Sequence, residues 1–220
     1  MITIEQVKER YILKAEKNGT NDGITTDNYR FCLLYNESQN KFMTLHLKNR
    51  GIDDVRYIQN FLVLDKIVPY SSKTEDKYNF ELPIDYFDLA DCRAKASKKT
   101  CSDFISLFEI RTENLNEIIQ DEYSKPSFEW RESFYTVNSN NLSIYTDKTF
   151  KVSEIHLNYY RYPNQIKLNN EEDPESNFSD DSQIEWDDKS LDDIISLMVF
   201  NLDINENNPR FQLQTLRTQK

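Results

Sequence analysis

The stretch SFEWRESFYTVNSNNLSIYTDKTFKVSEIHLNYYRY, residues 127–162, decides the fold class. Apolar and polar side chains alternate along three parts of it, Ser127–Val137, Asn141–Thr146 and Lys151–Tyr160, and this alternation is typical of half-buried β-strands. An asparagine-rich segment and a Thr-Asp-Lys segment supply turn-forming residues between the strands. The stretch therefore predicts an antiparallel β element in the middle of the chain.

Helical spacing marks both ends of the chain. Thr3 and Gln6 form a capping box before an amphipathic segment, and a second helical pattern runs to about residue 48. Apolar residues recur at helical spacing again over residues 191–204. Helices from the two ends of a chain can pack together, so we predict an α+β fold. Its N- and C-terminal helices would form a helical bundle from which the antiparallel β element projects.

A length of 220 residues fits one domain. We predict five segments within it: helical 1–62, strand-rich 63–163 with short helices, an acidic loop 164–190, a helix 191–204 and a C-terminal tail 205–220.

The net charge of −11 is concentrated in one place. Eleven acidic residues and a single base, Lys189, lie between Glu171 and Asp193, and the remainder of the chain is nearly neutral. Such a run is a solvated loop, an ion site or an acidic contact surface. The EF-hand spacing is missing, because no glycine stands at the sixth loop position. A contact surface would face a basic partner or a lumen through which nucleic acid slides.

Glycine, histidine and cysteine usage excludes the common enzyme classes. The three glycines stand at positions 19, 23 and 51, so no P-loop, dinucleotide fingerprint or nucleophile elbow can form. His46 and His156 are far apart, and the three cysteines include no CxxC pair. The sequence therefore predicts no catalytic residue, no metal ligand and no cofactor.

Two enzyme alternatives remain open. Glu75-Asp76-Lys77 fits the carboxylate–lysine step of metal-dependent nucleases, although this match is common in a chain with 30% charged residues. Cys32 with His46 would be a nucleophile and base, but they stand fourteen residues apart on one predicted helix. A rise of 1.5 Å per residue separates them by about 21 Å, so they cannot form a dyad within one chain.

Two features indicate contact with other molecules. A compact basic patch consists of Arg93, Lys95, Lys98 and Lys99. This patch is a solvated hairpin, a phosphate contact, or a partner for the acidic loop of a neighbouring copy. Thirteen tyrosines and thirteen phenylalanines supply residue types that are enriched in interface cores, although core packing accounts for them equally well.

Several segments together carry a resemblance to a known family. They are Phe80–Phe87, Lys125–Ser133, Phe150–Pro163 with its Tyr-Tyr-Arg-Tyr-Pro end, the Leu191-Asp-Asp-Ile-Ile helix after an acidic loop, and the Asn208-Pro-Arg-Phe-Gln tail. On these segments the chain resembles the tail-ring and head–tail adaptor proteins of podovirus-type bacteriophages, most closely those of crAss-like phages. The length of the acidic loop departs from the family pattern.

The resemblance implies a ring of identical subunits, usually twelve, stacked below the portal. The helices would form the ring wall, the β element would project to a neighbour, and the C-terminal tail would dock into the adjoining ring. The docking residues expected in that tail are Pro209, Arg210, Phe211, Leu213 and Leu216. The family supplies no catalytic residues.

We therefore expect a structural, non-enzymatic virion protein that forms part of a DNA-conducting channel. Expected partners are further copies of the chain, the portal and other ring proteins, with genomic DNA passing unbound and no membrane. Head-to-tail contacts would join the basic patch of one copy to the acidic loop of the next. On the acidic side we expect Glu171, Glu172, Asp173, Asp180 and Asp181. A cytoplasmic protein–protein interaction module is the alternative, and a metal-dependent nuclease is the third candidate.

Overall fold

The computed structural model describes residues 2–17, 26–49, 51, 55–121, 124–170 and 172–204. The chain divides into two compact units. The helical unit combines residues 1–60 with 163–220, and the sheet unit comprises residues 61–162.

Three long helices build the helical unit: α1 Ile4–Lys17, α2 Asn28–Asn49 and α4 Asp188–Ile204, while the short α3 Leu115–Gln120 belongs to the sheet unit. The predicted capping box of α1 is confirmed, because the Thr3 N–H donates to Gln6 Oε1 (3.1 Å) and the Gln6 N–H to Thr3 Oγ1 (3.3 Å). α4 contacts both α1 and α2. The apolar side chains between these helices, among them Val7, Tyr11, Phe31, Met43, Ile194 and Met198, are fully buried.

Aspartates begin two of these helices. The Arg30 N–H donates to Asp27 Oδ1 (2.6 Å) at the start of α2, and the Ser190 N–H donates to Asp187 Oδ1 (2.9 Å) at the start of α4. Because Asp187 is the cap, α4 begins at Asp188, three residues before the predicted start, and Ser190 lies inside it.

The strands of the sheet unit are β1 Leu62–Pro69, β2 Ser72–Lys73, β3 Lys77–Glu81, β4 Tyr86–Lys98, β5 Cys101–Glu109, β6 Glu132–Asn138, β7 Asn141–Tyr145 and β8 Lys151–Arg161. They form one eight-stranded sheet in the order β1-β8-β4-β5-β6-β7-β3-β2. The sheet is curled, since β1 at one edge also contacts β3, which lies next to the other edge. Its inner face buries an apolar core that includes Phe80, Ile105, Leu142, Ile144, Ile155 and Leu157.

One strand pair is parallel. β5 runs parallel to β6, whereas the other paired strands are antiparallel. A parallel pair needs a long crossover, and residues 110–131 supply it with a 3-10 turn at Thr112–Asn114, the helix α3 and a final turn.

The predicted arrangement, a helical bundle with a projecting antiparallel β element, is wrong. The strands do not form a small element, because β6, β7 and β8 join the earlier strands in a single sheet that is a compact unit by itself, and β8 is not the neighbour of β7 in it. Pairings between distant segments create this sheet: β8 lies between β1 and β4, and β7 pairs with β3. Alternation within a strand marks a buried face but does not identify the strand that lies beside it.

Candidate functional site

The predicted basic patch lies in a network of charges on the sheet, centred on Asp65. We call Asp65, Arg93, Lys95, Glu154 and His156 the Asp65 cluster. Asp65 adopts a φ of 54° where the β1–β8 register shifts between Val63 and Lys66. Such a bulge redirects a side chain. The Asp65 N–H donates to Asn158 Oδ1 (2.8 Å), which holds the bulge against β8.

The Asp65 carboxylate binds two donors. The His156 Nδ1–H donates to Asp65 Oδ1 (2.7 Å), since an ionised carboxylate only accepts, and Arg93 Nη2 lies 3.0 Å from the same oxygen. The hydrogen bond from His156 and then that from Arg93 hold the pKa of Asp65 below its ordinary value. The Arg93 guanidinium also lies over the Phe104 ring, 4.6 Å from its centroid.

Two other predicted contact residues are also paired within the sheet unit. Lys95 Nζ lies 3.0 Å from Glu154 Oε1, and Lys98 Nζ lies 2.6 Å from Glu129 Oε1. These hydrogen bonds lower the pKa of Glu154 and of Glu129. Lys99 lies exposed at the β4–β5 turn with a φ of 55°. Carboxylates of the same unit thus offset most of the positive charge that the sequence assigned to this patch.

The predicted acidic loop is anchored to the helices of its own unit. The Tyr29 N–H donates to the carbonyl of Pro174 (3.1 Å), and the Phe178 ring lies 5.9 Å from the Phe31 ring. Trp186 is 6% exposed, and its Nε1–H donates to Gln39 Oε1 (3.1 Å). The anchored backbone leaves Glu172, Asp173, Asp180 and Asp181 exposed, whereas Glu171 lies outside the described residues.

The contact between the basic patch and the acidic loop of another copy stays a prediction. The predicted docking residues Pro209, Arg210, Phe211, Leu213 and Leu216 lie outside the described residues.

The turn before β6 exposes Trp130, which the alternating sequence pattern assigned to a strand. Ser127 and Glu132 exchange two backbone hydrogen bonds (2.9 and 3.1 Å), and between them Arg131 adopts a φ of 59°. The Trp130 N–H donates to Ser127 Oγ (3.3 Å), and Trp130 is 81% exposed. We call residues 127–132 the Trp130 turn.

Three side chains fasten the Trp130 turn to the sheet. The Phe128 ring lies 6.1 Å from the Phe150 ring, Glu129 pairs with Lys98, and Arg131 Nη2 lies 2.7 Å from Asp103 Oδ2. The neighbours of Trp130 are thus held while its indole faces solvent. A local sequence signal existed, because Pro126 and the Ser127-Phe-Glu-Trp segment are compatible with a turn, but the alternating pattern outweighed it.

The geometry gives no support to a cysteine nucleophile. Burial raises the pKa of Cys32 to about 11 and, together with Asp91 and Glu109, that of Cys92 to about 12, which disfavours the reactive thiolate. Among the described residues, the buried Nε2 of His156 has no hydrogen-bond partner, and it lies 3.8 Å from the carboxylate oxygen Oε1 of Glu154.

The first carboxylate of the predicted nuclease motif is paired with a lysine. Glu75 Oε2 lies 3.1 Å from Lys148 Nζ in an exposed ion pair. The described residues contain no group of three or more His, Cys, Asp or Glu side chains suited to hold a metal ion.

Family models and curated sequences gave no match: no protein-family model matches the chain, and no curated protein sequence matches it significantly. None of the helices in the described ranges is long and apolar enough to cross a membrane.

Proposed function

We propose that the chain is a structural virion protein, a subunit of a phage tail ring or head-to-tail connector that stacks below the portal. It would assemble in the host cytoplasm into a homo-oligomeric ring, with about twelve copies as the resemblance implies. Its role would be to form part of the channel through which genomic DNA passes.

The observation that carries this proposal is the exposure of Trp130. A tryptophan that is 81% exposed leaves a large aromatic side chain in water, whereas the other tryptophan, Trp186, is 6% exposed. Tryptophan is among the residues most enriched at interface hot spots, and a side chain on a preorganised turn loses little entropy on binding. The Trp130 turn therefore favours an assembly role, and it lies in Lys125–Ser133, one of the segments that carry the resemblance.

The acidic segment fits a channel component. Glu172, Asp173, Asp180 and Asp181 are exposed on a backbone that aromatic contacts fix to the helices. Fixed negative charge repels the DNA backbone, so such a surface on a lumen would keep the DNA from binding.

The test measures assembly of the purified full-length chain, alone and co-expressed with the portal protein encoded in the same genome. We expect ring-shaped particles in negative-stain microscopy and a matching mass by mass photometry. A monomer under both conditions would contradict the proposal and favour the interaction module. Magnesium-dependent DNA cleavage that disappears in Glu75→Ala would instead favour the nuclease.

A further inference from the structure

The two ends of the sheet unit differ in charge. The turn end comprises residues 69–77, 98–101, 124–132 and 145–151, and the cleft end comprises residues 81–88, 109–114, 138–141 and 160–162. The turn end holds eight basic and five acidic residues, in a chain whose net charge is −11. The cleft end holds five acids and two bases: Glu81, Asp85, Asp88, Glu109 and Glu113 against Arg111 and Arg161.

A cleft opens at the second of these ends. It has a volume of about 550 Å³ and is lined by Glu109, Ile110, Arg111, Thr112, Glu113 and Val137. Ile110 and Val137 give it apolar surface, and Glu109 and Glu113 give it negative charge. The same negative field acts on buried groups nearby, since Asp88 and Glu109 add to the burial that raises the pKa of Tyr86 to about 12.

We propose that the Trp130 turn of one copy docks into the Glu109–Glu113 cleft of a second copy. This inference rests on the proposed function and names the contact that would join neighbouring subunits. The indole would lie against Ile110 and Val137, and the basic residues around the turn would face Glu109 and Glu113.

Size and charge both support this occupant. A cleft of about 550 Å³ lies within the range of roughly 300–1,000 Å³ that holds ligands larger than an indole. A docked tryptophan side chain would bury about 150–250 Å². The turn end has three more bases than acids, and Lys99 and Lys125 are among these bases, so the electrostatic field steers this end toward the acidic cleft and away from another turn end.

The positions of turn and cleft also favour a ring. They lie at opposite ends of the same sheet, so a copy with a docked turn still presents its own cleft to another copy. Such a heterologous contact repeats from copy to copy and closes into a ring when the rotation permits.

The first experiment is a photo-crosslink from position 130. Full-length protein carrying p-benzoyl-L-phenylalanine at position 130 is mixed with ¹⁵N-labelled wild-type protein, irradiated and digested with trypsin. Trypsin does not cleave the Lys125–Pro126 bond, so position 130 lies in the peptide 112–131. We expect mixed-isotope products that join this peptide of the unlabelled copy to peptide 100–111 or 112–131 of the ¹⁵N-labelled copy, with the bond at residues 109–113. Mixed-isotope products that join the turn only to other peptides would overturn the inference.

Matched variants test the energetics by sedimentation velocity. Trp130→Ser and Glu113→Lys should each weaken self-association, the first by roughly 30-fold or more as at interface hot spots. Leu13→Ser is the control for Trp130→Ser, because Leu13 is 61% exposed and lies in the helical unit. Glu9→Lys is the control for Glu113→Lys, because Glu9 is an exposed acid of α1 in the helical unit. Glu172→Lys tests the alternative contact through the predicted acidic loop. Circular dichroism should show all five variants folded.

The outcomes separate this inference from the proposed function. Wild-type rings that persist in Trp130→Ser would overturn the inference and leave the proposed function intact. Loss of self-association in Glu172→Lys but not in Glu113→Lys would also overturn it, in favour of a contact through the acidic loop. A wild-type chain that never self-associates would overturn the inference, and it would contradict the proposed function only if the chain also stayed monomeric with the portal.

Discussion

The two tryptophans are in opposite environments. Trp186 is 6% exposed, lies 5.3 Å from the Phe42 ring and donates its indole N–H to Gln39. Trp130 is 81% exposed on a turn whose backbone and neighbouring side chains are held by the sheet. The first fastens an acidic segment to its own unit, and the second is available to another molecule. The comparison shows that the surroundings of a tryptophan can be fixed whether its side chain is buried or exposed.

The largest expected effect is the loss of the buried tryptophan. Trp186→Ala should lower the free energy of unfolding by about 3–5 kcal/mol, because it leaves a cavity beside Phe42. Trp130→Ala should change the same quantity by less than about 0.5 kcal/mol, because its side chain lies in solvent. Urea unfolding of the two variants measures this difference, and equal losses of stability would contradict the assignment of the two roles.

A smaller loss of stability is expected when the hydrogen bond to the Trp186 indole is removed. Gln39 is 1% exposed and also donates to the carbonyl of Asn164 (3.1 Å). Gln39→Leu removes the acceptor of the indole N–H and the donor to that carbonyl in a buried site, so it should cost about 1–3 kcal/mol. Thermal unfolding checks this value. Glu37→Leu on the same helix is the control, because Glu37 forms an exposed ion pair with Lys41 (2.7 Å), and its loss should cost about 0.5 kcal/mol or less.

The next largest effect is expected when the hydrogen bond between Ser127 and Trp130, which orders the Trp130 turn, is removed. Ser127→Ala removes the acceptor of the Trp130 N–H and should lower the free energy of unfolding by about 1 kcal/mol. Its self-association should be severalfold weaker than that of the wild type, because docking would then have to order the turn. Sedimentation velocity compares it with Ser124→Ala, whose hydroxyl donates to Asp121 Oδ2 (2.7 Å) outside the turn. Identical association of the two variants would rule out a role for turn rigidity.

The smallest effect is a pH dependence of the Asp65 cluster. The pKa of Asp65 and that of Glu154 are lowered in the folded chain, so the unfolded chain binds protons at a higher pH. The stabilisation is therefore present above the ordinary pKa values of 3.8 and 4.5, and it is lost as the pH falls through the lowered values. Urea unfolding between pH 7 and pH 3 should give a shallower decline for Asp65→Asn than for the wild type. An unchanged slope would mean that the His156 and Arg93 hydrogen bonds do not stabilise the fold.

Local features were predictable where one short segment supplies both partners. Thr3 and Gln6 are three residues apart, and their capping box forms as the sequence indicates. The ion pair between Arg93 and Asp65 was not predictable, because the two residues become neighbours only when β8 lies between β1 and β4. The same holds for the acidic segment, because its anchors on α2 precede it in the chain by more than a hundred residues.

The sequence by itself determined the short-range features of this protein: the α1 capping box, the presence of helices at both ends and the strands β6, β7 and β8. Only the tertiary structure decided the order of strands in the sheet, the parallel β5–β6 pair and which charges are neutralised. It also decided that Trp186 is buried and that Trp130 is displayed. The physical reason is that side-chain periodicity is a property of neighbouring residues, whereas burial and charge pairing depend on segments that meet only in the folded chain.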